Sequence, residues 1–274
     1  MKNIAITVDK NYSIHAAVML YSLLFNNNAK DIHINIIVDF NNFFYKIPIL
    51  YVLKRKKCSY TFYYLNEKKI GFTKNLLISH HISIATYFRL FLPSILNTID
   101  KVLFLDCDMI VDGNIDELYM TNIVSHSLAA VTDNNEERIQ ALKLNNRYFN
   151  AGVMLLNLAY LRENKFESLF EDFITNHAEK IVFWDQDVLN ATTHESMLPL
   201  NSKWNCLSYN YDKNIKPIII HYAGYHKPWN GFSEHVLQDK YFYYLNSDSI
   251  LKYMHTFYLT LFKFSTYLIK LFEK

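Results

Sequence analysis

Glycine and proline are scarce, five of each in 274 residues. Flexible linkers of the Gly- or Pro-rich kind are thereby excluded. The first apolar segment, Asn3 to Val8, runs into Asp9-Lys10-Asn11-Tyr12 without a G-x-G-x-x-G turn, and no Walker loop occurs. A dinucleotide site of the Rossmann kind is therefore not expected. The three cysteines, Cys58, Cys107 and Cys206, are odd in number and far apart. They make neither a disulfide framework nor a zinc spacing, and read as free thiols in a reducing compartment. A net charge of +2 is too small to argue for a nucleic-acid partner. No clean run of about 20 apolar residues is present to span a membrane. Thr7 and Asp9 interrupt the N-terminus before a signal-peptide core could form, so a cytoplasmic protein is expected.

What is present is core-forming material. Half of the residues are hydrophobic and 16% are aromatic, which excludes a disordered chain. The length suits one large domain or two small ones. Strand patterns at 3–8, 31–38 and 59–64 alternate with helical patterns at 12–26 and 43–56. That alternation predicts an α/β fold with a parallel sheet and covering helices.

The stretch around which the chain is organised is Lys101-Val102-Leu103-Phe104-Leu105-Asp106-Cys107-Asp108. An apolar strand ends in two acids one residue apart, and strand side chains at i and i+2 share a face. Asp106 and Asp108 can therefore converge, and two close carboxylates repel unless a cation lies between them. Oxygen ligands suit Mg²⁺, Mn²⁺ or Ca²⁺, and α/β sheets bind ligands beyond the carboxyl ends of their strands. Two surface acids after a strand would look the same in isolation.

Four other stretches carry polar groups in apolar surroundings. The segment 80–92, HHISIATYFRLFL, reads as a buried helix closed by Pro93. Its Arg89 needs an anion, from one of the two aspartates, a ligand phosphate or a structural ion pair. Asn150-Ala151-Gly152 precedes an apolar strand and puts small residues where a backbone can approach a ligand, or simply forms a turn. Asp185-Gln186-Asp187 between apolar flanks is either a pocket lip or a helix start. His221 closes the strand Ile218 to Tyr222, ahead of Gly224 and Lys227-Pro228-Trp229. A lone histidine is usually structural, but this position can present a metal ligand.

Together these stretches resemble glycosyltransferase family 8, most closely its bacterial lipopolysaccharide and lipooligosaccharide galactosyl- and glucosyltransferases. The matching motifs run from Ala5–Tyr12 through His81–Leu90, Val102–Asp108, Phe149–Val153 and Asp185–Asp187 to His221–Trp229, in the family's order. The resemblance implies a GT-A nucleotide-sugar-binding domain with a mixed, mainly parallel sheet. It implies retaining transfer of galactose or glucose from a UDP-hexose to a saccharide or lipid-linked oligosaccharide acceptor, forming an α-linkage. It further implies Mn²⁺, with Mg²⁺ as the alternative, held by Asp106, Asp108 and His221. Lys227 and the Gly224 backbone would contact the diphosphate. Thr7, Asp9 and Asn11 match the uracil and ribose positions. Arg89, Asn150, Ala151, Gly152, Asp185 and Gln186 match the sugar positions, and Asp133 an acceptor-side one. For catalysis, the resemblance favours front-face attack with Gln186 stabilising positive charge. Asp187 is the only nearby carboxylate that could serve as a nucleophile instead.

The chain is accordingly divided into a GT-A domain, 1–233, and a helical region, 234–274. In the latter, Phe257, Leu261, Phe264 and Leu268 recur on one helical face, and Lys252, Lys263, Lys270 and Lys274 on the opposite one. This basic amphipathic pattern is that of an anchor on anionic lipid, at the inner face of the cytoplasmic membrane. A helix docked on the core with its lysines in water is the alternative. Self-glucosylation of the glycogenin kind and a catalytically silent membrane-bound scaffold are the rival functions. A haloacid-dehalogenase phosphatase shares the Asp-x-Asp, but that motif normally opens its domain, whereas here about a hundred residues precede it.

Overall fold

The computed structural model describes residues 1–65, 84–133, 135–145, 147–231 and 235–272, the side chains of 84–85 and 263–272 excepted. Among the described residues, nine strands form two sheets. The large one orders β3 (Ser59–Tyr64), β2 (Ile32–Val38), β1 (Lys2–Val8), β4 (Lys101–Leu105), β7 (Tyr148–Asn157), β6 (Leu128–Asp133) and β8 (Met197–Leu200). β3, β2, β1 and β4 run parallel, and β7 is antiparallel to both its neighbours. β5 (Met109–Val111) and β9 (Ile219–His221) form a separate antiparallel ribbon. The sheet is thus mixed and mainly parallel, as expected.

Burial explains the sequences of these strands. β4 and β7 are covered on both faces and read as near-continuous apolar runs. Helix α1 (Ser13–Asn26) is buried from Ser13 to Leu24 between the sheet and the C-terminal helices. Helix α2 (Phe43–Lys56) starts at an Asn42 side-chain cap and ends at Lys57 in the left-handed region.

The expected helix over 80–92 is corrected for the residues described. Ile84–Phe91 is a 3-10 helix, and Pro93 opens the short α-helix Leu92–Ile95 rather than closing one. A proline in the first turn loses only an N–H that would be unpaired there anyway. The 81–83 part of that motif lies outside the described residues.

The helices Asp239–Asn246 and Ser249–Phe272 pack on α1. Tyr241, Tyr244, Leu245, Leu251 and Tyr258 belong to the same core as β1 and α1. The region after residue 233 therefore shares the core of the preceding domain. The Tyr258 hydroxyl donates to the Phe44 carbonyl, and Tyr51 donates to Asp248 at 3.0 Å. Beneath this junction His15 stacks on Trp229, with ring centroids 3.7 Å apart, and its Nδ1 lies 2.8 Å from the Tyr241 hydroxyl. This clamps the segment that carries Lys227. His255 packs against His15, and burial pushes its imidazole down to about 4, so it is neutral here.

Candidate active site

Asp106-Cys107-Asp108 links the end of β4 to the start of β5. The Cys107 thiol turns away and lies 3.2 Å from the Thr7 carbonyl oxygen, to which it donates. The two acids therefore share the other side. In the ribbon His221 stands opposite Met109, and the Tyr222 N–H donates to the Asp108 carbonyl at 2.9 Å. His221 Nε2 comes to 3.3 Å from Asp108 Oδ1 and 3.9 Å from Asp106 Oδ2. One ligand atom from each of the three falls within 4.8 Å of the others. Two carboxylates and an imidazole nitrogen at this spacing can hold a divalent metal ion. The floor of the site is the backbone of β7, where the Asp106 N–H donates to the Gly152 carbonyl at 2.9 Å. A Cβ on Gly152 would lie 2.2 Å from His221 Cε1 and 2.9 Å from Asp106 Oδ2. Only glycine leaves room for both ligands.

Arg89 and Lys227 flank the pair. Arg89 Nη2 donates to Asp106 Oδ1 at 2.8 Å and Nη1 to the Ala151 carbonyl at 2.8 Å. Its guanidinium also lies 4.6 Å from the centroid of the Phe104 ring. Lys227 Nζ donates to Asp108 Oδ2 and to the Tyr222 carbonyl. Burial alone would raise the Asp108 carboxyl, but Lys227 and then His221 outweigh it and hold it far below the carboxylate range. Asp106 goes the other way, since its burial exceeds the opposing pull of Arg89.

Asp185 adds a third carboxylate. Burial, against the pull of Arg89 and with the repulsion of Asp106, pushes it up to about 7. Arg89 Nε sits 2.9 Å from Asp185 Oδ2, yet its hydrogen is directed at the Thr86 carbonyl at 3.1 Å. Asp185 Oδ2 is buried with no aligned donor among the described residues, an acceptor suited to a ligand hydroxyl. Three carboxylates thus face two permanent cations. A divalent ion would reverse that local balance to positive and suit an anionic ligand.

Gln186 stands on the first turn of the helix Trp184–Thr193. Its Oε1 accepts from Asn150 Nδ2 and from the Ala151 N–H, each at 3.1 Å, which joins the helix to the floor. Asp187, the alternative nucleophile, is engaged elsewhere. Its carboxylate is completely buried. It accepts from Arg138 Nε and Nη2 at 3.1 and 3.0 Å, from the Tyr148 hydroxyl at 2.8 Å, and from the N–H groups of Val182 and Phe183 at 2.7 and 2.6 Å. A carboxylate so enclosed does not reach a substrate. It secures a strained turn, because Trp184 has φ 47°, in the left-handed region that bulky residues avoid.

The remaining expected residues lie at the rim. Thr7 is near the carboxyl end of β1, and Asp9 Oδ1 accepts from the N–H groups of Asn11 and Tyr12 at 2.7 and 2.9 Å. Gly224, with φ +90°, shapes the loop between His221 and Lys227. Asp133 closes β6, and burial raises its carboxyl against a hydrogen bond from Tyr209. Three contributors escaped the sequence reading: Asn205, Tyr148 and Arg138. Asn205 and Arg138 carried no local signal. Tyr148 stands one residue ahead of the Phe149–Val153 motif.

Residues 3–232 match the sequence profile of Glycosyl transferase family 8. A lipopolysaccharide 1,2-glucosyltransferase of Escherichia coli K12 is 30% identical over 83% of this chain and 72% of its own length. A lipopolysaccharide 1,3-galactosyltransferase of Salmonella typhimurium is 28% identical over 92% of this chain and 79% of its own. Among solved structures, the galactosyltransferase LgtC, in complex with donor and acceptor sugar analogs, superposes with a TM-score of 0.80. It is 24% identical and covers 90% of this chain and 96% of its own, so the architecture is the GT-A fold. On the profile match and the 30% relative together, this chain belongs to glycosyl transferase family 8.

Proposed function

We propose that this glycosyltransferase moves galactose or glucose from a UDP-sugar to a saccharide acceptor of lipopolysaccharide or lipooligosaccharide type, with retention and hence an α-linkage. The convergence of Asp106, Asp108 and His221 beside buried Lys227 and Arg89 carries this reading. The donor set fits Mn²⁺ better than Mg²⁺, because a nitrogen stands beside two carboxylates. Bound there, the ion would supply Lewis-acid stabilisation of the leaving diphosphate. Lys227 adds a second positive charge toward that diphosphate, with the Gly224 backbone beside it. Thr7, Asp9 and Asn11 hold uracil and ribose. Asp185 and Arg89 orient the hexose hydroxyls, with Asn150, Ala151 and Gly152 beneath the ring. Gln186 turns the negative end of its amide toward developing positive charge, while the acceptor, held near Asp133, attacks from the front face. Asp187 keeps this geometry without touching the sugar.

The test is UDP release from UDP-galactose and UDP-glucose without acceptor, in Mn²⁺ and in EDTA. Mn²⁺-dependent release from one of them is expected, and loss of it in a folded Asp108→Ala variant. Release that is equal in EDTA, or undiminished in that variant, would overturn the metal role.

We also place the enzyme on anionic lipid at the inner face of the cytoplasmic membrane. No helix among the described residues is long and apolar enough to cross a membrane. The helix Ser249–Phe272 docks through Leu251, His255 and Tyr258 and turns Ile250, Tyr253, Phe257 and Leu261 outward, with Lys252 exposed. This outward stripe is an apolar face with a basic margin. Changing Tyr253, Phe257 and Leu261 together to serine is expected to weaken sedimentation with phosphatidylglycerol vesicles at least about tenfold. Acceptor-free UDP release should persist. Undiminished vesicle binding would remove the stripe from the interface.

A further inference from the structure

The polar groups beneath the site form one chain with a single direction. His221 Nδ1 lies 3.0 Å from Asn205 Oδ1, and Asn205 Nδ2 lies 2.9 Å from Asn150 Oδ1. Asn150 Nδ2 lies 3.1 Å from Gln186 Oε1, and Gln186 Nε2 lies 3.0 Å from the Tyr148 hydroxyl, which reaches Asp187. Side-chain amides can in principle be reversed, so the direction needs an anchor. Two backbone N–H groups supply it, because they can only donate. The Gly152 N–H meets Asn150 at 3.0 Å and requires an oxygen there. The Ala151 N–H meets Gln186 at 3.1 Å and requires an oxygen there. With Asn150 Oδ1 so placed, Asn205 must offer its NH₂ to Asn150 and its oxygen to His221. His221 must then carry its proton on Nδ1. In the neutral imidazole the Nε2 lone pair is then left facing Asp106 and Asp108. At the far end, the Tyr148 hydroxyl receives from Gln186 and so donates to Asp187, which also holds Arg138.

We propose that Asn205, completely buried, is a positioning residue that holds His221 in its metal-ligating tautomer, with polarity set by the backbone of β7. This rests on the metal role given to His221 above. Asn205 lies outside the motifs that mark the site in the sequence, and it makes no contact with Asp106 or Asp108 among its hydrogen bonds.

Two readouts test it. In metal-free wild-type protein with ¹⁵N-labelled histidine, at alkaline pH where imidazole is neutral, two-bond ¹H–¹⁵N correlation should show the His221 proton on Nδ1. A proton on Nε2 would overturn the inference without any variant. Calorimetry of Mn²⁺ binding in the presence of UDP should show Asn205→Ala weakened about 10- to 100-fold. Asn205→Asp, which keeps an acceptor for Nδ1–H, should bind Mn²⁺ more tightly than Asn205→Ala. Wild-type uptake with unchanged affinity in Asn205→Ala overturns this inference alone. No uptake by the wild type overturns the metal reading with it.

Discussion

Gly152→Ala is expected to lose Mn²⁺-dependent UDP release by at least about a hundredfold, more than a typical substitution behind a metal ligand. The added methyl would sit 2.2 Å from His221 Cε1, 2.8 Å from Nδ1 and 2.9 Å from Asp106 Oδ2. Two proposed metal ligands and the Asn205 hydrogen bond are thus struck at once. On the β4 side the strand is held at this point by the Asp106 N–H on the Gly152 carbonyl, which limits its retreat, while the pairing with β6 breaks at a bulge between Phe149 and Met154. The overpacking should cost about 1–3 kcal/mol in stability, leaving a folded protein with a displaced imidazole. Calorimetry with Mn²⁺ and UDP, beside the release assay, checks this. Gly113→Ala is the control, because the three atoms nearest its new methyl all belong to the Ile218 side chain, Cδ1 at 2.9 Å and Cγ2 at 3.3 Å, and none to Asp106 or His221. Wild-type Mn²⁺ affinity in Gly152→Ala would show that His221 is not a ligand in this position.

The second large effect is one of stability. Asp187→Asn is expected to destabilise the fold by about 3–5 kcal/mol, because it leaves the Arg138 guanidinium buried beside a neutral amide. It would also weaken the acceptor of the Val182 and Phe183 N–H groups that hold the Trp184 turn. In a chain of this size that corresponds to a fall in melting temperature on the order of 10 °C. Thermal unfolding followed by circular dichroism reads it directly. Activity should fall in step, because Gln186 leans on the same anchor through Tyr148. A nucleophile would behave in the opposite way, with a wild-type melting temperature and no turnover.

The contrast between Gln186 and Asp187 shows where reading a sequence stops. The two are adjacent, and the sequence read both alike, as a pocket lip or a helix start. On a helix each residue is turned about 100° from the last. Gln186 therefore faces the β7 floor, whereas Asp187 points back at Arg138 and Tyr148. Which direction met the cleft depended on partners 39 to 49 residues away. The tail was legible in the same partial way. Its helical period announced an apolar face through Phe257 and Leu261, and these are exposed. The docked face through Leu251, His255 and Tyr258 emerged only once α1 and α2 were in place.

Local chemistry in the sequence was sufficient to mark Asp106 and Asp108, because strand geometry aligns alternate side chains without help from the rest of the chain. It was sufficient for the alternation of strands and helices, and for the glycine at 152 beside a small residue. The resemblance named His221, but only the tertiary structure brings its Nε2 to the two acids. That depends on β5 pairing with a strand 110 residues later, in a register that seats His221 opposite Met109. It alone decided that Arg89 and Lys227 divide the two acids between them, that Asp187 is enclosed with Arg138, and that Asn205 meets the imidazole. Each of these is a contact between segments distant in sequence. A side chain's type limits which partners it can accept, but the register of the strands selects the one it meets.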